Sequence, residues 1–125
     1  MKTSDLIGPA LHWAVANIEG VRIETSTERG YLVNLCEPIT FWFNVDDIWD
    51  PSTDWSQGGP IIEREFIDVD FDEDEHQRWE AFFSHYSEAY PDGVMCHGPT
   101  PLIAAMRCYV ASKLGDEIDV PKELL

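Results

Sequence analysis

The stretch GPTPLIAAMRCYVASKLG, residues 98–115, constrains this chain more than any other. Thr100 is suited to cap a helix through its side-chain oxygen, and Pro101 is suited to the first helical position, where its missing N–H costs nothing. Gly115 is a natural residue at which to leave the helix. Between these signals, residues 102–114 are expected to form a helix with Leu102, Ile103, Met106, Val110 and Leu114 on one face. Ala104, Ala105, Cys108 and Ala111 are small and nearly apolar, so most of the circumference can pack. Such a helix has to be surrounded, which makes it the expected centre of the fold. Arg107 lies in its middle, and a guanidinium in that setting needs a partner or a cavity. Its expected partners are Asp54, Glu63 or Glu65, with an anionic ligand as the functional alternative.

A chain of 125 residues fits one domain, residues 1–125, and can bury a core without disulfides or metal. The apolar fraction of 44% excludes a disordered acidic tail. Three cysteines, Cys36, Cys96 and Cys108, form no CxxC pair, and no signal-peptide pattern is present, so reduced thiols are expected. No apolar run approaches the roughly 20 residues that span a bilayer. Against 8 basic residues stand 24 acidic ones, a net charge of −16. That balance argues against direct nucleic-acid binding, which draws on Lys and Arg, and against anionic membranes. It suits solubility, or a partner with a basic surface.

Along the chain, Gly8-Pro9 opens a helix whose apolar face is Ala10, Leu11, Ala14, Val15 and Ile18, and Gly20 closes it. Residues 21–24 alternate as a strand and residues 31–35 read as its hairpin partner. Phe41-Trp42-Phe43 is a short aromatic strand candidate. Residues 46–60 are rich in Asp, Ser, Gly and Pro and read as a long loop, a feature that is often functional. Residues 61–67 read as a strand, which would put Glu63 and Glu65 on one face and Arg64 on the other. The acidic run 68–75 reads as a solvated turn or helix entry. Residues 77–90 have helical spacing, with Trp79, Phe82, Phe83, Tyr86 and Tyr90 in one stripe, and Pro91-Asp92-Gly93 ends that helix. Ile118 and Val120 suggest a short edge strand. The expected class is α+β: a small, mostly antiparallel sheet of about four strands with two to three helices packed on one face.

Nucleophile and phosphate-loop motifs are absent, as are HExxH and paired CxxC zinc motifs. Asp72 and His76 stand four apart, and Cys96-His97 are adjacent, but neither pattern makes a metal site, and no metal or cofactor is expected. The loop PSTDWSQGGPIIERE, residues 51–65, holds more side-chain chemistry than a turn needs. If it sits beside the start of the last helix, Asp54, Trp55, Gln57, Gly58, Gly59, Glu63, Arg64, Thr100 and Arg107 could bound a pocket for a small polar ligand.

Two quoted stretches, PSTDWSQGGPIIERE and GPTPLIAAMRCYVASKLGDEIDVPKELL, together with the opening MKTSDLIGPALHWAVANIEG, resemble the NinX-like family of lambdoid phages and prophages. The matching residues include Ser52, Thr53, Asp54, Trp55, Gln57, Gly58, Gly59, Pro60, Glu63, Arg64, Glu65, Thr100, Pro101 and Arg107; residues 69–96 stand outside the pattern. The resemblance implies a phage accessory protein acting in the bacterial host cytoplasm and supplies no reaction. Three functions are compatible with it. The first is a non-enzymatic protein that binds a host factor with a basic surface, such as a defence protein, by charge mimicry of nucleic acid. Glu63, Glu65, Asp68, Asp70, Asp72, Glu73, Asp74, Glu75 and Glu80 would then form an array with neighbours roughly 6–8 Å apart, as phosphates are spaced. The second is ligand binding at the 51–65 loop. The third is an enzyme using Glu63 or Glu65 as acid or base, which requires a carboxyl with a strongly raised pKa. The oligomeric state is left open by the sequence.

Overall fold

The expected central helix is present and lies between a sheet and two other helices. The computed structural model describes residues 1–26, 31–37, 49–74, 78–84 and 90–125, with residues 22–26 and 31–37 described by their backbone. We number the helices α1 (Gly8–Glu19), α2 (Trp55–Glu65) and α3 (Pro101–Leu114), and the strands β1 (Arg22–Ser26), β2 (Tyr31–Glu37), β3 (Asp68–Asp72), β4 (Arg78–Phe83) and β5 (Val94–Gly98). The Thr100 hydroxyl accepts the Ile103 N–H at 3.1 Å, and α3 buries nine residues along its length. One face of α3 lies across β3, β4 and β5; its other sides meet α1, α2 and a 3-10 turn at Thr3–Asp5.

β3, β4 and β5 form an antiparallel sheet in that order, and β1 and β2 pair in a separate antiparallel hairpin that touches α1. The fold is thus α+β, with the expected four-stranded sheet replaced by three strands and a hairpin. The core joins Leu11 and Val15 of α1, Ile61 of α2, Met106 and Val110 of α3, and Ala81, Phe83, Val94 and Cys96 of the sheet. Each buried Leu, Ile, Val or Met contributes about 1.5–3 kcal/mol through removal from water. Gly98 ends β5 where α3 begins to cross it: a Cβ there would stand 2.8 Å from the Ala104 nitrogen. The backbones therefore approach as closely as they do only because that residue has no side chain.

Four sequence expectations are corrected. Residues 61–67 are not a strand, and 55–60 are not loop: 55–65 form α2, which Phe66 closes in the left-handed conformation and whose cap Asp54 accepts the Ser56 N–H at 2.9 Å. Gly58-Gly59-Pro60 looked like a breaker, but Gly58 is a contact point, since its Cβ would lie 2.3 Å from the Pro51 carbonyl oxygen and 2.7 Å from Leu102 Cδ2. Packing against α3 outweighs a Pro inside the helix, which costs about 3 kcal/mol in isolation. The glutamates Glu63 and Glu65 consequently sit on a helix, not on one face of a strand. Residues 78–83 of the expected aromatic helix form β4: Trp79, Ala81 and Phe83 alternate toward α3, and aromatic residues favour strands. The acidic run is strand β3 over Asp68–Asp72, not a turn. Near the C-terminus there is one bridge, Lys2 to Glu117, rather than a strand at Ile118 and Val120. The candidate strand at Phe41-Trp42-Phe43 lies outside the described residues, as do Glu75, His76 and Tyr86.

Candidate functional site

The 51–65 segment is built mainly from contacts with its own fold. Trp49 Nε1 donates to the His12 carbonyl at 2.8 Å, and Ser52 Oγ stands 2.5 Å from His12 Nε2. Both side chains of that pair are buried, and burial pushes the His12 pKa down to about 4, so the ring is neutral near pH 7. With Ser52 2% exposed, the pair is closed to substrate and clamps residues 49–54 onto α1. Gln57 Oε1 accepts the Asp50 N–H at 2.8 Å, which ties α2 back to the same turn. Trp55 is exposed at the start of α2. Arg64 lies nine residues further along the same helix, roughly 13 Å away at 1.5 Å per residue.

Arg64 belongs to a network at the far end of α2. Its Nη2 and Nη1 donate to Glu19 at 2.6 and 3.2 Å, and the Tyr109 hydroxyl donates to the same carboxylate at 2.5 Å. Lys113 Nζ pairs with Glu65 at 2.8 Å and lies over the Phe83 and Tyr109 rings. Glu19 raises the Arg64 pKa chiefly by its hydrogen bond. Burial would raise the Glu65 pKa, but Lys113 and Arg64 together outweigh it and hold the carboxyl below its usual range. That direction is opposite to what a general acid at Glu65 needs. Glu63 is exposed on α2. Glu19, Tyr109 and Lys113 were not singled out in the sequence, since their meeting joins α1, α2 and α3 over long separations.

Arg107 corrects another expectation. Its partners are not Asp54, Glu63 or Glu65: Nε donates to the Leu6 carbonyl at 2.7 Å and Nη1 to the His97 carbonyl at 2.8 Å. It ties the N-terminal turn and β5 to α3. Gly58 does lie against Leu102 at the start of α3, so α2 and the Thr100 cap are neighbours. Trp55, Arg64 and Arg107 nonetheless point their polar chemistry at three different places. A cleft of about 400 Å³ opens elsewhere, between Lys2, Thr3, Cys96, Asp116 and Glu117, and none of the nine residues expected to bind ligand lines it.

The acidic residues are gathered differently. Register pairs Asp68 with Phe82 and Phe82 with Met95; Asp70 with Glu80 and Glu80 with His97; and Asp72 with Arg78. Side chains alternate along each strand, so these residues share the sheet face opposite α3. Val69, Ala81, Phe83, Val94 and Cys96 take the covered face. The outer face therefore carries Asp68, Asp70, Asp72 and Glu80 together with Arg78 and His97, beside Phe82 and the exposed Met95. Asp70 directly opposes Glu80, an arrangement of like charges that destabilises a strand pair. Glu80 faces His97 at 3.5 Å, and Asp70 and Asp72 accept the N–H groups of Phe71 and Asp74. Asp68, Asp70 and Asp72 form no ion pair with a described residue. Glu73 and Asp74 continue the acidic edge in the exposed bend after β3. In the sequence His97 was weighed only beside Cys96 and Phe82 only in a helical stripe, and Met95 was not singled out; strict alternation in the strands was the signal that could have placed them together.

Fold and surface define a small, acidic α+β protein with one face of its three-stranded sheet covered by no described helix. The family model of Bacteriophage P22 NinX matches residues 2–113, and the chain belongs to that phage family. The match runs through residues 69–96, which the motif-based resemblance had left out. No curated protein matches the chain. Among the described residues, no helix is long and apolar enough to cross a membrane.

Proposed function

We propose that this NinX-family protein is a non-enzymatic phage accessory protein that binds a host protein through the open face of its β3–β5 sheet. Its partner would present a basic groove that ordinarily holds nucleic acid. The observation that carries this reading is the register that puts Asp68, Asp70 and Asp72 on one edge strand with Glu80 beside them. Alternate residues of a strand are roughly 6.8 Å apart, within the roughly 6–8 Å expected of a phosphate-like array. Phe82 and Met95 lie in the row beside Asp68 and offer an apolar anchor next to the charges. Host defence proteins that act on nucleic acid are partners of this chemistry, and they would be met in the bacterial cytoplasm.

The test is displacement. Host lysate is bound to immobilised duplex DNA and the column is challenged with this protein, with an Asp68→Asn/Asp70→Asn/Glu80→Gln variant, and with an Asp116→Asn/Glu117→Gln/Asp119→Asn variant of equal charge. The reading expects wild type and the second variant to release a defined host protein and the first variant to fail. Release that tracks total charge alone contradicts it.

A further inference from the structure

We propose that Asp72, Glu80 and His97 form a binding site for one divalent transition-metal ion, with Zn²⁺ the ion of choice. The three residues come from three adjacent strands and share the outer sheet face. One donor atom from each lies within 4.8 Å of the other two, and all three residues are partly exposed, so an ion can enter. The donor set is an imidazole nitrogen with two carboxylate oxygens, which suits Zn²⁺ and its neighbours in the transition series better than Mg²⁺.

Spacing within the cluster favours an ion over a direct hydrogen bond. A charge-assisted N–H to carboxylate bond closes to about 2.7–2.9 Å. His97 Nε2 and Glu80 Oε2 stand 3.5 Å apart. Two ligands bound to one Zn²⁺ at about 2.1 Å in tetrahedral geometry are separated by roughly 3.4 Å. The Asp72 carboxylate, whose Oδ1 accepts the Asp74 N–H at 3.1 Å, has a donor oxygen within 4.8 Å of the other two donors and would close on a shared ion as the third ligand, leaving the outward position to water. An ion here would also offset the opposition of Asp70 and Glu80 on the paired strands. The site was invisible to a search for helical i, i+4 spacing, because its residues meet across β3, β4 and β5. It shares Asp72 and Glu80 with the proposed docking face, but it does not rest on that reading and can be tested without a host partner.

Isothermal titration of the full chain, with any affinity tag removed, measures Zn²⁺ binding with Mg²⁺ as the parallel ion. The expected result is one Zn²⁺ per chain with much weaker Mg²⁺ binding, and a loss of Zn²⁺ affinity of at least about tenfold in both His97→Ala and Glu80→Gln. Both positions are partly exposed, and circular dichroism checks each variant's fold. An Asp68→Asn/Asp70→Asn variant removes charge from the same face without touching a donor and should keep affinity within about threefold. Absence of Zn²⁺ binding overturns the proposal. So does binding unaffected by His97→Ala and Glu80→Gln, or an equal loss in Asp68→Asn/Asp70→Asn, which would mean general attraction of cations to an acidic surface.

Discussion

On the helical side, Glu19 receives Arg64 and the Tyr109 hydroxyl, and Glu65 receives Lys113; on the outer sheet face, Asp70 looks across at Glu80. The first region uses its charges to join α1, α2 and α3. The second aligns its carboxylates along one face, with Arg78 opposite Asp72 and His97 Nε2 3.5 Å from Glu80. Of the acids behind the net charge of −16, Asp68, Asp70, Asp72 and Glu80 are aligned by strand register, and the proposed function rests on that alignment. The 51–65 segment falls on the first side of this contrast. Its Asp caps a helix, its Ser is buried against His12, its Gln holds a turn, and Gly58 makes room for Pro51 and Leu102.

If that segment is scaffold, Gly58→Val should have the largest effect of any change considered. Its side chain would meet backbone at Pro51, and overpacking of this kind costs about 3 kcal/mol, read as a lower urea midpoint. Unaltered stability would put the segment back among flexible loops. Acid should act next most strongly, through His12. Its pKa is about 4 when folded and 6.5 as an ordinary histidine, so the unfolded chain binds the proton more readily. Stability from this group is complete above pH 6.5 and is lost as pH falls toward 4. The loss between pH 7 and pH 5 should be about 2 kcal/mol. The raised pKa of Asp50, caused first by burial, works in the opposite direction, so His12→Gln should flatten the acid limb and expose that smaller opposite slope.

Glu19→Gln should cost about 1 kcal/mol, since Arg64 is half exposed and solvent screens much of the pair while Tyr109 keeps an acceptor. The smallest effect on folding is expected on the sheet. Asp70→Asn removes a like-charge opposition and should leave stability unchanged or raise it by up to about 0.5 kcal/mol in the same urea titration. A large loss there would mean that the face is held together by its carboxylates, and the contrast with the helical side would collapse.

Elements with chemical end signals were readable from the sequence. Thr100, Pro101 and Gly115 marked α3, and Gly8, Pro9 and Gly20 marked α1. The alternation at residues 21–24 and 31–35 found the β1–β2 hairpin. The failures came where two patterns overlap in the same letters. Trp79, Phe82 and Phe83 have helical spacing, while Trp79, Ala81 and Phe83 have strand spacing, and pairing with β3 and β5 decided between them. The alternation in Asp68–Asp72 was visible, but aspartate disfavours strands and the run was read as a turn. The Asp54 cap was also present, yet Gly58-Gly59-Pro60 argued against a helix that only packing on α3 explains. Of the nine acids expected to form one array, Asp68, Asp70, Asp72 and Glu80 share the outer sheet face, Glu63 and Glu65 lie on α2, and Glu75 lies outside the described residues; which acids gather, and beside which of His97, Phe82 and Met95, depended on register.

The measurement closest to the central claim compares stability and displacement in the same two charge-matched variants. Urea unfolding and release of host proteins from immobilised DNA are measured for Asp68→Asn/Asp70→Asn/Glu80→Gln and for Asp116→Asn/Glu117→Gln/Asp119→Asn. A surface kept free for a partner predicts that the sheet variant folds at least as stably as wild type and no longer displaces, while the other variant still does. A sheet variant that loses stability, or that displaces as well as wild type, contradicts it.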